Sequence, residues 1–154
     1  MNYIIQIYCL FIKFMKYEKK CMFIYAYVLS GIIRLSILLL PFKYIKTRLG
    51  EPKMESSNEL SDDEIEMARQ IRQLVLKVCN HTPWQSKCLV RAILTQHLLS
   101  KRNISSTLYL GVSKNENGKM QAHAWLRCGP VVIMGGENKN DFIEVAKFCI
   151  NKGE

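Results

Sequence analysis

The chain lacks what a secreted disulfide scaffold needs. Its six cysteines, at positions 9, 21, 79, 88, 128 and 149, show no paired spacing, and no small-residue cleavage site follows a short apolar run at the N-terminus. It also has too little apolar material for two cores, because 154 residues that are 49% hydrophobic supply only one. We therefore expect one compact domain with reduced thiols, in the cytoplasm.

Acidic residues are almost missing from the first fifty positions. Eight Lys and Arg stand there against the single acid Glu18, a net charge of +7, whereas the remainder holds fourteen basic and twelve acidic residues. No nucleic-acid-binding motif accompanies the charge, so a nucleic-acid partner is not expected. The basic excess lies among aliphatic and aromatic residues, which favours contact with a membrane surface.

The same fifty residues contain two apolar stretches, Tyr3–Met15 and Met22–Pro41, separated by the charged link Lys16–Lys20. The second is about long enough to span a bilayer, but it includes Arg34, which costs about 2.5 to 3.5 kcal/mol near the centre of a span. A single transmembrane helix is therefore kept as an alternative. The favoured interpretation is a helical hairpin that packs on the domain or lies at the membrane surface.

A polar segment at 51–60, with Pro52 and no apolar period, predicts a linker. The chain is thus divided into an apolar, basic helical segment (1–50), a linker (51–60) and a domain (61–154). The domain begins with the capping box Ser61 to Glu64, which opens an amphipathic helix that ends near Asn80. The spacing predicts a second helix over 88–100.

Beyond residue 105 the apolar period changes from three or four residues to two, which indicates strands. The last segment, Phe142–Ile150, fits a strand or a helix equally well. Two helices followed by an antiparallel meander predict an α+β fold. The segments that predict strands are 107–112, 122–127 and 131–134.

Cys88 is the first candidate for chemistry. It follows a loop and lies in the first turn of the second helix, where free backbone amides and the helix dipole favour the thiolate. Lys87 and Arg91 add positive charge nearby. The alternative is that Cys88 is only a small buried core residue.

A thiolate nucleophile needs a base, and histidine is the usual one at neutral pH. His81 lies in a loop and His97 lies about two and a half turns along the helix from Cys88, so neither is an obvious partner. His123 lies in a strand between Ala122 and Ala124, with Trp125 on its own face. The small neighbours leave room for the imidazole to approach a helix packed on the sheet.

The sequence around these residues resembles a known family, the transglutaminase-like (papain-type cysteine) leader peptidases of lasso-peptide biosynthesis. The similarity covers about residues 61 to 149 and extends weakly through 34–50. Its ordered motifs are Pro83-Trp84-Gln85-Ser86-Lys87-Cys88-Leu89-Val90-Arg91-Ala92-Ile93-Leu94, Leu98-Leu99-Ser100-Lys101-Arg102-Asn103-Ile104, Leu108-Tyr109-Leu110-Gly111-Val112 and Ala122-His123-Ala124-Trp125-Leu126.

The resemblance implies that Cys88 and His123 are catalytic, that no cofactor or metal is needed, and that the substrate is the leader of a lasso-peptide precursor. It also implies two partner proteins: a separate winged-helix protein that binds the leader, and an asparagine-synthetase-like enzyme that closes the macrolactam ring afterwards. The third catalytic residue of the family is usually an aspartate after the histidine strand. Here the nearest acid is Glu137, with Asn138 or a backbone carbonyl as alternatives.

For the oxyanion, the backbone amide of Cys88 is the expected donor, and Gln85 is a second candidate whose alternative is an exposed loop glutamine. Trp84 is expected to pack beneath the loop.

Three other functions remain as alternatives to the peptidase. One is a zinc site made from Cys79, His81, Cys88 and His123, although its spacing matches no common zinc framework. The second is a non-catalytic scaffold of the same fold that binds the precursor or the membrane, and the third is acyl transfer to an amine instead of water.

Overall fold

Residues 2–46 are mostly helical. The computed structural model describes the backbone of residues 2–153 and the side chains of residues 20–153. Helix α1 runs over Asn2–Leu39, and the short helix α2 follows at Phe42–Lys46. The expected hairpin is wrong, since a single helix runs without a break through the charged link Lys16–Lys20. That link contains no Gly or Pro that would end a helix. The side chains of the first apolar stretch lie outside the described residues.

The next two helices are those expected from the sequence. Helix α3 spans Asp62–Cys79, and its N-cap Ser61 forms the complete capping box with Glu64. An eight-residue connection leads to helix α4, Cys88–Ser100. Within the connection Pro83 blocks helical continuation, because the residue before a proline avoids the helical region. Helix α4 begins at Cys88, after the extended N-cap residue Lys87.

Within residues 2–153, five strands form one sheet in which every neighbouring pair is antiparallel. The strand order is β1-β5-β2-β3-β4, so β2, β3 and β4 form the expected meander. The last segment, whose pattern left two possibilities, is a strand that returns to pair with the other side of β2. The strands are β1 Glu51–Pro52, β2 Ser106–Lys114, β3 Met120–Cys128, β4 Val131–Met134 and β5 Ile143–Ile150.

Helices α3 and α4 cover one face of the sheet. Their buried residues form one core with Leu108 of β2 and with Ala124 and Leu126 of β3. Because successive strand residues alternate between faces, Trp125 projects from the other side of β3, where its ring stacks on Tyr109 with centroids 5.6 Å apart. The sheet is thus divided into a core face and a face that carries polar and aromatic side chains.

The polar segment 51–60 lies against the sheet. Two of its residues form β1, which pairs with β5. Ser56 is buried, and its backbone N–H donates to Thr107 Oγ1 at 2.8 Å. Glu55 forms ion pairs with Arg127 at 3.2 Å and with Lys147 at 2.5 Å. These contacts attach the segment to the domain along its length.

Candidate active site

One cavity of about 580 Å³ contains the candidate nucleophile and the candidate base of the sequence analysis. It lies between the start of α4, the end of α3 and the β3–β4 edge of the sheet. Cys88, His123 and Gln85 all contribute to its wall, so the structure brings together the predicted nucleophile, base and side-chain oxyanion donor. The lining residues are Cys79, Gln85, Ser86, Lys87, Cys88, Arg91, His123, Met134 and Gly135.

Cys88 is positioned by the helix that it begins. It is partly buried and carries an unpaired thiol. The N-cap residue, Lys87, makes no side-chain capping bond, and the first amides of a helix lack intrahelical acceptors. The start of α4 therefore offers backbone N–H donors to an anion that forms beside the sulfur.

Hydrogen bonds fix the conformation of the eight-residue connection before Cys88. The Thr82 hydroxyl donates to the Cys79 carbonyl at 3.0 Å and lies 2.9 Å from Ser86 Oγ. Arg91 Nε donates to the Ser86 carbonyl at 2.8 Å. The sequence suggested Arg91 only as a source of charge, whereas here it also braces the chain two residues before the nucleophile.

Trp84 fastens the same connection to α1. Its Nε1 donates to Ser30 Oγ at 3.3 Å, and its ring meets Tyr27 edge-on with centroids 5.1 Å apart. Gly31 makes room for it, since a β-carbon at that position would lie 3.1 Å from the ring. Trp84 is absent from the cavity wall and packs beneath the connection, as the sequence predicted.

His123 is held by a backbone carbonyl. Its Nε2 lies 2.8 Å from the oxygen of Gly135. A carbonyl only accepts, so Nε2 carries the hydrogen and the lone pair of the neutral ring is on Nδ1. The ring of Phe142 packs on one side, with centroids 4.8 Å apart, and Trp125 lies at 6.0 Å. The imidazole therefore has a fixed tautomer and two aromatic neighbours.

The structure does not bring Glu137 to His123. Its side chain is 75% exposed and lies 3.7 Å from the Arg72 guanidinium. Asn138 is exposed in the loop that follows. Of the three alternatives for the orienting group, the carbonyl, supplied by Gly135, is the one in contact with the imidazole. A backbone group of this kind has no sequence signature, although the Gly135-Gly136 pair signals an unusual turn.

The remaining candidate residues, for the oxyanion site and for a zinc site, lie in different surroundings. Gln85 is exposed at the cavity wall. His81 Nδ1 lies 2.6 Å from the Lys77 carbonyl and is not part of that wall. Among the side chains of residues 20–153, no group of three or more His, Cys, Asp or Glu is arranged to hold a metal. The zinc set of the sequence analysis is therefore not assembled.

A second thiol, Cys79, shares the cavity with Cys88 but differs from it in environment. Burial raises the pKa of the Cys79 thiol above its ordinary value, and this effect exceeds the opposing influence of Ser86 and Arg91. Raising a thiol's pKa reduces the fraction of thiolate, which is the nucleophilic form. Cys88, at the helix start, is thus the better placed of the two for attack on a substrate.

Fold and site together define an α+β domain with a cysteine at a helix start and a histidine on the adjoining sheet, the ordering of cysteine-dependent acyl-transfer enzymes. The family model of the transglutaminase-like superfamily matches residues 33–147, well over half of the chain, and the chain belongs to this superfamily. This fold often carries cysteine-peptidase activity. Neither the curated proteins nor the solved structures include a significant match.

Proposed function

We propose that this protein is a cysteine peptidase that removes the leader from a lasso-peptide precursor in the cytoplasm. The observation that carries the proposal is that Cys88 and His123 line one cavity, with Nε2 of the imidazole occupied by the Gly135 carbonyl. Nδ1 is then the nitrogen left to exchange a proton with the thiol. The ordered motifs around both residues support the particular substrate.

The reaction follows from these positions. His123 Nδ1 takes the proton of the Cys88 thiol, and the sulfur attacks the carbonyl carbon of the scissile peptide bond. The imidazolium then gives its proton to the departing amine, which leaves a thioester on Cys88. A water molecule, deprotonated by the same imidazole, attacks the thioester and releases the carboxylate product and the free thiol.

The tetrahedral intermediate carries a negative oxygen that needs hydrogen-bond donors. The backbone N–H of Cys88 is the first candidate, because it belongs to the unpaired amides of the α4 start. The Gln85 side chain, at the wall of the same cavity, is the second. Neither donor requires a metal or a cofactor.

Two partner proteins complete the proposal. Residues 20–60 consist of helical segments, a two-residue strand and a polar stretch attached to the sheet, so leader recognition is assigned to a separate winged-helix protein. An asparagine-synthetase-like enzyme would then close the macrolactam ring of the released core peptide. The unpaired thiols Cys79 and Cys88 fit a reducing compartment.

The decisive experiment measures cleavage by mass spectrometry. Full-length protein is incubated with a precursor peptide and the leader-binding protein, and the products are weighed. We expect cleavage to be lost in Cys88→Ala and His123→Ala and kept in Cys21→Ser, whose exposed thiol lies on α1. Retained cleavage in Cys88→Ala would refute the mechanism.

A substrate-free measurement separates catalysis from a scaffold role. The rate at which iodoacetamide alkylates Cys88 is followed against pH by mass spectrometry of the tryptic peptide that contains Cys88, in wild type and in His123→Ala. A peptidase requires that the imidazole promotes the thiolate, so the variant should react more slowly at neutral pH. Equal rates, together with no cleavage, would favour the non-catalytic scaffold. Adding primary amines to the cleavage reaction tests transfer to an amine, which would yield amide products.

A further inference from the structure

Helices α1 and α2 carry an exposed apolar surface that the rest of the described chain does not cover. On α1 its members recur every three or four residues, which places them on one side of the helix. It continues past Pro41 onto α2. We call this set the outer surface; it consists of Ile24, Val28, Ile32, Leu35, Leu38, Leu39, Leu40, Phe42 and Tyr44, all between 43% and 74% exposed.

The opposite side of α1 is packed on the domain. Ala26, Ser30 and Ile33 are buried, Tyr25 bonds to His97 of α4 at 2.8 Å, and Trp84 reaches α1 as described above. Helix α1 is therefore apolar on two sides, of which only one is accounted for by the fold. Contiguous exposed apolar patches of this kind mark interaction sites.

The outer surface continues into a cleft. A cleft of about 540 Å³ lies between α1, α2 and α4. Ile32, Leu40 and Tyr44 belong both to its wall and to the outer surface. The exposed apolar side chains thus continue inward from the face of α1 instead of ending at it.

The basic side chains around the outer surface indicate which kind of partner it binds. Residues 20–50 contain five basic side chains and no acid. Lys43, Lys46 and Arg48 lie at the C-terminal end of the outer surface. At its other end, Arg102 contacts Met22, and Lys101 lies over the Tyr25 ring. An apolar strip with cations at both ends matches the layered chemistry of an anionic bilayer surface.

We propose that the outer surface lies in the plane of an anionic lipid bilayer, with its apolar side chains among the acyl chains and its cations at the headgroups. The stretch Lys20–Leu39 is long and apolar enough to cross a membrane, with a mean hydropathy of 1.9. Crossing, however, would pull Tyr25 and Ser30 away from α4 and Trp84. Lying on the surface keeps all of these contacts.

Flotation of the full-length protein with lipid vesicles tests the apolar part. Vesicles of phosphatidylcholine alone are compared with phosphatidylcholine mixed with phosphatidylglycerol. Replacing Val28, Ile32 and Leu35 together by serine should weaken binding to the mixed vesicles by at least about tenfold, because each apolar side chain stabilises the bound state. The matched control replaces Met120, Ile143 and Val145 together by serine; these side chains lie on the sheet and are at least as exposed, and this variant should bind like wild type.

The charged part has its own pair of variants. Lys43→Gln with Lys46→Gln should lower affinity for the phosphatidylglycerol vesicles by about twenty-five-fold, since each lysine near the surface contributes on the order of a fivefold factor. Lys114→Gln with Lys119→Gln, in the β2–β3 hairpin, removes the same charge and should change nothing. Binding of wild type should fall as salt rises.

Three results would overturn the proposal. One is equal vesicle binding by the serine variant and its control. Another is wild-type protein that resists extraction from cell membranes by alkaline carbonate, which indicates a spanning helix. The third is a dimer in sedimentation that dissociates in the serine variant without any vesicle binding, because the outer surface would then meet a second copy of the chain.

Discussion

Substituting Gly135 by alanine tests whether the backbone carbonyl orients His123. Gly135 has φ +70°, and its oxygen accepts from His123 Nε2 at 2.8 Å. A β-carbon built at this position would lie 2.5 Å from the Ala124 carbonyl oxygen and 3.3 Å from Nε2 itself. Neither neighbour can give way freely, since the oxygen belongs to β3 and the imidazole is packed against Phe142. The backbone at Gly135 must therefore move.

The size of the effect follows from these contacts. The left-handed conformation costs an alanine about 1 to 2 kcal/mol relative to glycine, and the close approach adds to that. We expect the free energy of unfolding to fall by about 2 to 3 kcal/mol. A displacement of the carbonyl on the order of 1 Å would misplace the imidazole, and misplacement of this size can lower catalytic efficiency about a hundredfold.

Gly118→Ala is the matched control. Gly118 has φ +73° in the β2–β3 hairpin, and a β-carbon there would meet nothing within 4 Å. It therefore carries the same conformational strain without the clash. Both variants are compared for kcat/KM on the precursor and for the alkylation rate of Cys88. If Gly135→Ala retains the activity and thiol reactivity of Gly118→Ala, the assignment of the carbonyl is wrong.

Three further outcomes are expected. Ser61→Ala removes the capping box formed with Glu64 and should lower the free energy of unfolding by about 1 kcal/mol in urea titrations. The hydrogen bond from Lys147 lowers the pKa of Glu55, so Glu55→Gln should lose roughly 0.5 kcal/mol at pH 7 and nothing well below the carboxyl's lowered pKa. Burial lowers the pKa of His97 below 6.5, so the unfolded chain takes up the proton first on acidification. Stability should thus decline from about pH 6.5 downward, more steeply than in His97→Gln.

The helices of the domain could be predicted because their signals are local. The capping box at Ser61 and the apolar spacing to Val78 lie within one helix, and both are confirmed. The start of α4 near Cys88 was equally predictable, since the apolar helical spacing begins there and Pro83 separates it from α3. The β2–β3–β4 meander follows from alternation and from short turns, which are also local features.

The parts that escaped prediction depend on contacts between distant residues. Ile143–Ile150 is a strand because β2 offers a free edge, and nothing within the segment records that edge. The orienting group of His123 is a main-chain oxygen, so a search for acidic side chains reaches Glu137 instead. Arg91 was visible in the sequence as a cation, but its bond to the Ser86 carbonyl required the folded connection.

The division of the chain at residue 61 can be tested by truncation, because the structure ties the earlier residues to the active site. Ser30 and Tyr27 hold Trp84, four residues before the nucleophile, and the superfamily match begins inside α1. A chain beginning at Lys20 keeps every described contact. A chain beginning at Ser61 loses the Trp84 partners and β1.

Removing Ile33 and Leu49, both buried, costs about 1.5 to 3 kcal/mol for each side chain, and the aromatic contact with Trp84 adds about 0.5 to 1.5 kcal/mol. The shorter chain should therefore unfold at a clearly lower urea concentration, and its Cys88 alkylation rate should differ from that of the longer chain, because the connection before α4 is no longer anchored. Equal midpoints and equal rates would mean that residues 61–154 form the complete catalytic unit and that α1 serves only the membrane surface.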